Sequence, residues 1–383
     1  MDLDSRYPAL ADLKDRAKRR IPHFAWEYLD SATGDEAVPR RNRAALDRVL
    51  FHPAILAGDL SPDTATRFLG RDYPLPFGIS PVGMSGLFWP GAEVTLAQVA
   101  RARGIPYSLS TVAAQTPETL APHIGDQGWF QLYCPRDPEI LADILGRARK
   151  AGFHTLIVTA DVPAASRRER QVRGGVTNPP RITPRLLSHV ATCPAWAIGT
   201  LRQGMPRLRL MESYATAAAG TSSTAHVGYQ LRVNPDWAYL ARLREAWDGP
   251  VIVKGVTDAT EAPRLAEAGV DAIWLSNHAG RQFDGAPAAL DAVTGIRAAL
   301  PDMPLIYDGG IASGLDVVRA LALGADFVML GKAWHWGLGA FGAAGAHHVA
   351  HILEADMRAV MAQIGAATLA DLPDRLVRST PDS

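Results

Sequence analysis

Two short basic runs carry the first chemical signal. Ser166-Arg167-Arg168-Glu169-Arg170 follows Asp161, and His278-Ala279-Gly280-Arg281 forms a small-residue turn far downstream. Two guanidinium groups beside one imidazole hold a carboxylate through paired N–H donors while the imidazole takes a proton next to it. A solvated charged surface is the plain alternative for 167–170, and it would win if that run stood alone. The coupling of His278 and Arg281 within a Gly-containing turn shifts the balance. Asp308-Gly309-Gly310-Ile311, ahead of Ser313-Gly314, and Gly331-Lys332 supply two glycine-rich turns. Glycine lets backbone N–H groups approach an anion, and a helix N-terminus stabilises one, so the pair favours a phosphorylated ligand.

These groups need a frame that brings them together. Short, β-rich apolar runs recur at 77–81, 107–110, 129–133, 155–161, 251–254, 272–277, 305–308 and 327–331. Runs that are apolar throughout mark strands covered on both faces. Between them lie stretches of helical spacing (93–103, 138–151, 261–268, 315–323) that end at Gly104, Gly152, Gly269 and Gly324. Eight β–α units with a repeat of roughly 22–32 residues fit an α/β fold, the (β/α)8 TIM barrel, with an open doubly wound sheet as the competitor. In a barrel, reactive groups collect at the carboxyl ends of the strands. Ser110, Gln131, Tyr133, Thr159, Asp161, Lys254, Ser276, His278 and Asp308 all fall there. A single strand-end Asp is more often a helix cap, but so many polar ends on one mouth are hard to assign to packing.

The expected organisation is one domain over 1–383: an N-terminal helical segment (1–75), the barrel (76–333) and a C-terminal helical segment (334–383). A long insertion, about 164–234, follows the fourth strand. It mixes Leu186-Leu187-Ser188-His189-Val190 and Trp196-Ala197-Ile198 with Arg181, Arg185, Arg202, Arg207 and Arg209. It reads equally as a lid packed on the barrel or as a segment resting on an anionic bilayer.

The chain has 383 residues with 39 basic and 39 acidic side chains, so no global field exists to grip nucleic acid. Its 48% apolar and 20% charged content excludes a disordered polyelectrolyte. Cys134 and Cys193 lie too far apart in sequence for a Cys-x-x-Cys site and make no disulfide framework, which suits a reducing compartment. His347, His348 and His351 have helical spacing without a further ligand, so no metal site is expected and they read as surface histidines. Neither a signal-peptide pattern nor a bilayer-length apolar run is present, and the expected location is cytoplasmic, or peripheral on the inner face of a membrane.

The stretch Ser276-Asn277-His278-Ala279-Gly280-Arg281-Gln282-Phe283-Asp284-Gly285 resembles the FMN-dependent α-hydroxy acid dehydrogenase/oxidase family. Further matches are Tyr28-Leu29-Asp30-Ser31, Arg41-Asn42-Arg43, Pro81-Val82-Gly83, Leu109-Ser110-Thr111, Trp129-Phe130-Gln131-Leu132-Tyr133, Thr159-Ala160-Asp161-Val162-Pro163, Val253-Lys254-Gly255 and Asp308-Gly309-Gly310. The resemblance implies FMN across the barrel mouth. Val82 and Gly83 approach it through their backbone, and Ser110, Gln131 and Thr159 bond its ring. Lys254 stabilises the charge that the ring gains on reduction, with Ser276 beside it. Asp308, Gly310, Gly331 and Lys332 hold the ribityl-phosphate. It also implies that Tyr28, Arg168 and Arg281 bind the substrate carboxylate, that Tyr133 binds carboxylate or hydroxyl, and that His278 is the base, its imidazolium stabilised by Asp161. Two family arginines are replaced, by Ala312 and by Lys332, which weakens the expected phosphate clamp. Val112 replaces a Trp found in some members. The implied activity is oxidation of a lactate- or mandelate-like L-2-hydroxy acid, with electrons passed to a quinone or other respiratory acceptor. An O2-reducing oxidase that makes hydrogen peroxide is the alternative, and a redox-inactive phospholigand-binding barrel the remote one. Relatives of this kind are often tetramers, so a homo-oligomer is expected, with 334–349 as either an interface or a core helix.

Overall fold

The computed structural model describes residues 2–175, 183–215 and 232–377. Eight parallel strands close into a barrel: β3 (Phe77–Ile79), β4 (Tyr107–Ser110), β5 (Gly128–Leu132), β6 (Thr155–Thr159), β7 (Val251–Val256), β8 (Ala272–Leu275), β9 (Leu305–Tyr307) and β10 (Phe327–Leu330), with β10 pairing back to β3. All eight expected runs are strands, and the open doubly wound sheet is excluded. Six strands (β3, β5, β6, β8, β9 and β10) end before the apolar runs do, as the last residues of those runs turn toward the mouth, whereas β7 continues two residues past its run.

One element inside the N-terminal segment departs from expectation. The helices Leu10–Arg20, His23–Asp30 and Ala37–Asp47 are followed by an antiparallel hairpin, β1 (Thr66–Phe68) and β2 (Arg71–Tyr73). Phe68 and Tyr73 pack with Trp129 and Phe327 in the barrel-interior cluster and close the end opposite the strand termini. The hairpin is too short to show an alternating pattern in sequence.

The apolar C-terminal stretch proves to be core. Lys332–Phe341 and Ala343–Ile364 are separate helices broken at Gly342, which has φ +63°, and Trp334, Leu338 and Val349 are fully buried. His348 is corrected from the surface to the interior: its Nε2 meets the Tyr7 carbonyl at 2.9 Å, while exposed His351 pairs with Asp4. Among the described residues no acidic, His or Cys cluster forms a metal site, and no helix is long and apolar enough to cross a membrane.

In the insertion, the described helices Pro184–Ala191 and Pro194–Gln203 have one side against the rest of the protein and apolar side chains exposed on the other. Trp196 is buried, its indole donates to the Leu87 carbonyl at 3.1 Å, and its ring stands edge-on to Phe24. Leu187, Ile198, Leu201 and Met205 are exposed on the same segment, as are Arg202 and Arg207. Arg181 and the Arg185 side chain lie outside what is described.

Candidate active site

A cavity of about 890 Å³ opens at the carboxyl ends of the strands, in the upper part of the range of roughly 300–1,000 Å³ usual for small-ligand sites. Every site residue expected from the sequence lines it except Asp161 and Ser276, which stand directly behind wall residues.

His278 and Asp161 form the centre. Asp161 Oδ2 and Oδ1 lie 2.8 and 3.0 Å from His278 Nδ1, although 117 residues separate the two in sequence. Burial pushes the Asp161 carboxyl up, but the charges of His278 and Lys254 and the hydrogen bond from His278 outweigh it, so its pKa lies below the ordinary carboxylate value. An ionised Asp161 fixes the proton on Nδ1 and leaves Nε2 as the basic nitrogen. The turn that presents the imidazole is strained: His278 and Ala279 have φ +55° and +51°, a conformation that persists only where the surroundings enforce it. The enforcement is visible. His278 N–H donates to Ser276 Oγ at 3.1 Å, and Gly280 packs so tightly on Val38 and Pro39 that a Cβ there would fall 2.7 Å from Pro39.

Gly255, which the sequence left without a role, makes room for Asp161. It has φ +109°, sits at the register shift between Lys254 and Val256, and a Cβ on it would lie 2.5 Å from both Cβ and Cγ of Asp161.

Cations flank the imidazole. Arg281 donates to the carbonyls of Ser31 (2.7 Å) and Leu29 (3.2 Å), and its guanidinium lies 5.7 Å from the Tyr28 ring centroid. Tyr28 in turn donates to the Gly83 carbonyl at 3.0 Å. Arg168 Nε donates to Ser166 Oγ at 3.0 Å, and Ser166 donates to the Arg281 carbonyl at 2.6 Å, which joins the two basic runs. Arg232 stands over the Tyr133 ring at 5.5 Å. The neighbouring arginines of the first run have other fates: Arg167 is exposed, and Arg170 clamps Glu27, Asp30 and Glu36 at 2.7, 3.0 and 2.8 Å. That three-carboxylate clamp ties the helix His23–Asp30 to the insertion and was not legible from one residue type in a charged run.

The floor is a hydrogen-bonded polar surface. Ser110 donates to Gln131 Oε1 at 2.6 Å, and Gln131 Nε2 donates to Thr159 Oγ1 at 2.9 Å. Lys254 Nζ donates to Ser276 Oγ at 2.5 Å and lies 2.8 Å from Asp308 Oδ2; Ser276 donates to Asp308 Oδ1 at 2.6 Å, and the Trp274 indole to Oδ2 at 2.9 Å. Beyond Asp308, Gly309 and Gly310 take φ +127° and +81°, and Ala312 N–H donates to Asp316, whose carboxylate is gripped by Arg43 at 2.7 Å on each oxygen. Lys332 Nζ donates to the Asp30 carbonyl at 2.7 Å. Burial lowers its pKa to about 8, against the pull of Asp30 and with the push of Arg281 and Lys14.

The FMN implied by the resemblance fits this surface. A flat ring would rest on the Ser110–Gln131–Thr159 and Lys254 donors, glycine backbone at 83, 310 and 331 permits close approach, and the buried hydroxyl of Ser80 in the cavity wall lacks any partner within the described residues. A buried hydroxyl without a partner is costly, and a ligand oxygen removes the cost.

Comparison with known proteins gives the same answer. The family model for FMN-dependent dehydrogenases matches residues 17–379. The L-lactate dehydrogenase of Pectobacterium atrosepticum is 37% identical, with 97% of each chain covered. Among solved structures, the monotopic membrane protein (S)-mandelate dehydrogenase superposes with a TM-score of 0.89 at 32% identity, covering 96% of this chain and 98% of its own. A mandelate oxidase superposes at 0.80 with 31% identity, covering 97% and 98%. The strand-end ring, the imidazole–carboxylate pair and the match along nearly the whole sequence agree, and the chain belongs to the FMN-dependent dehydrogenase family as an FMN-dependent oxidoreductase.

Proposed function

We propose that this protein oxidises an L-2-hydroxy acid, lactate- or mandelate-like, to the 2-oxo acid, and hands the electrons to a quinone or another respiratory acceptor. The observation that carries the reading is the His278–Asp161 pair at 2.8 Å in the wall of a cavity that Arg168, Arg281 and Tyr28 also line. In this reading Arg281 and Arg168 neutralise the substrate carboxylate, Tyr28 and Tyr133 orient it through their hydroxyls, and the hydroxyl-bearing carbon comes to rest near Nε2 of His278. That nitrogen would take the hydroxyl proton while the hydrogen on the same carbon leaves with its bonding pair as hydride, so that the C=O forms, and the anionic Asp161 would stabilise the resulting imidazolium. Bound FMN supplies the two-electron acceptor. Ser110, Gln131, Thr159 and Lys254 would hold its ring, Val82 and Gly83 would approach it through backbone, and Asp308, Gly310, Gly331 and Lys332 would take its polar arm. Residues 1–75 and 334–383 serve the same single catalytic unit.

The insertion supports the choice of acceptor. Its exposed Leu187, Ile198, Leu201 and Met205 beside Arg202 and Arg207 suit an anionic bilayer surface, and a neighbour in fold is a monotopic membrane protein. Met205, Trp196, Leu186 and Pro206 also line the cavity, so a membrane-borne acceptor would reach the site through the same segment. The likeness to a mandelate oxidase favours the second reading, reoxidation by O2. Turnover under air, assayed in parallel for hydrogen peroxide and for reduction of a soluble quinone, separates the two. Quinone reduction without stoichiometric peroxide is expected; stoichiometric peroxide with negligible quinone reduction reverses the choice.

A further inference from the structure

The pleat of the barrel identifies one inward, mouth-facing residue on each strand. Trp129, Ile157, Ile252, Trp274, Ile306 and Met329 fill the barrel interior. Two residues on, where the pleat returns to the same face, stand Gln131, Thr159, Lys254, Ser276, Asp308 and Gly331. On β4 the corresponding residue is Ser110. On β3, Gly78 faces inward, since a Cβ there would meet Met329 Sδ at 2.8 Å, and two residues later comes Ser80.

Seven of these eight positions carry a polar side chain, and six of the seven are tied into two chains, Ser110–Gln131–Thr159 and Lys254–Ser276–Asp308. Ser80 is the exception. Its hydroxyl is buried, lines the cavity and has no hydrogen-bond partner among the described residues. It fills the gap in the ring between Ser110 and Gly331: its N–H donates to the Leu330 carbonyl at 2.8 Å, and a Cβ on Gly331 would stand 3.7 Å from its own. On this side of the mouth Ala312 presents only a methyl, and Lys332 already gives one of its N–H bonds to the Asp30 carbonyl.

We propose that Ser80 is a further cofactor-binding residue, its hydroxyl bonding an oxygen of the ribityl-phosphate arm of FMN. The proposal rests on the reading that the flavin lies on the strand-end ring. That bond would satisfy the one side chain of the ring whose buried polar atom has no hydrogen-bond partner among the described residues.

Flavin release after dilution of the holoenzyme, followed as recovered fluorescence, tests it with FMN and, after refilling, with lumiflavin, which has the ring but no arm. Ser80→Ala is expected to release FMN about tenfold faster and lumiflavin at the wild-type rate. Ser80→Cys, which keeps the volume with a weaker donor, is expected to behave likewise. Stripped of flavin, Ser80→Ala is expected to melt no lower than wild type, because a methyl replaces an unmatched hydroxyl. Unchanged FMN release, or equal acceleration for the two flavins, overturns the assignment. Gln131→Ala serves as the control for the flavin's position and is expected to accelerate release of both. If it alters neither, the position of the flavin fails and Ser80 with it; if only Ser80→Ala is silent, Ser80 alone fails.

Discussion

At the scale of residues, the site sorts into groups that are already matched and groups that wait for a ligand. Asp161, Ser276, Asp308 and Gln131 are bonded on the protein side and hold His278, Lys254 and the ring donors in position. Lys332 differs because its charge is marginal. With a pKa near 8 it begins to lose its proton just above neutrality, in the company of Asp30, Glu36, Lys14 and Arg281. A phosphate dianion beside it favours the charged form, so the FMN-bound protein holds more protons than the free protein. Affinity for FMN is therefore expected to be flat from pH 7 to 8 and to fall about tenfold per pH unit above that, until the raised pKa of the bound form is reached. Lys332→Arg, which stays charged, is expected to abolish the slope; an unchanged slope in the variant would show that Lys332 does not touch the phosphate. Most of these residues were legible in the sequence because polar groups at the ends of apolar strands have few structural uses. Ser80 and Gly255 were not, because a single Ser before a Pro and a single Gly after a Lys carry no pattern. Their meaning comes from neighbours brought close by barrel closure, Gly331 for one and Asp161 for the other.

At the scale of elements, the irregularities lie where the chemistry is. β7 carries a register shift at Gly255, and the loop after β8 holds two non-glycine residues at positive φ. Bulges of this kind re-aim side chains beside active sites. Gly255→Ala adds a methyl inside the van der Waals shell of Asp161 in a conformation that alanine disfavours. The expected cost is about 2–4 kcal/mol of stability, together with roughly a hundredfold loss of turnover through displacement of Asp161. Thermal melting and steady-state rates on the same preparation check both, and wild-type turnover in the folded variant would separate Gly255 from the site. The eight strands were readable because each is a short, β-rich and largely apolar run, and several follow a Gly or a Pro. The β1–β2 hairpin was not, since three-residue strands show no period. The burial of His348 was missed because a helix 22 residues long, buried along its length from Gly345 to Ile364, hides more of its surface than the polar residues on it suggest.

At the scale of the whole molecule, closure of the barrel converts sequence distance into contact, bringing residues as far apart as Tyr28, Asp161 and His278 to one mouth. The insertion then gives that mouth an apolar rim that faces solvent on its other side. Binding to anionic vesicles, with little binding to neutral ones, is expected for the intact protein, and Leu201→Asp with Met205→Asp is expected to reduce it at least tenfold in a cosedimentation assay. Equal sedimentation of the double variant would remove the insertion from the membrane contact. The central claim is the oxidation of an L-2-hydroxy acid at the His278 end of a flavin-bearing barrel. The most direct test is anaerobic bleaching of the flavin band by L- and D-lactate and by (S)- and (R)-mandelate, in the wild type and in His278→Gln. Bleaching by an L or S acid alone is expected, slowed about 10²- to 10⁴-fold in a His278→Gln protein that keeps its flavin. No bleaching by any of the four acids, or bleaching at an undiminished rate in the variant, would contradict it.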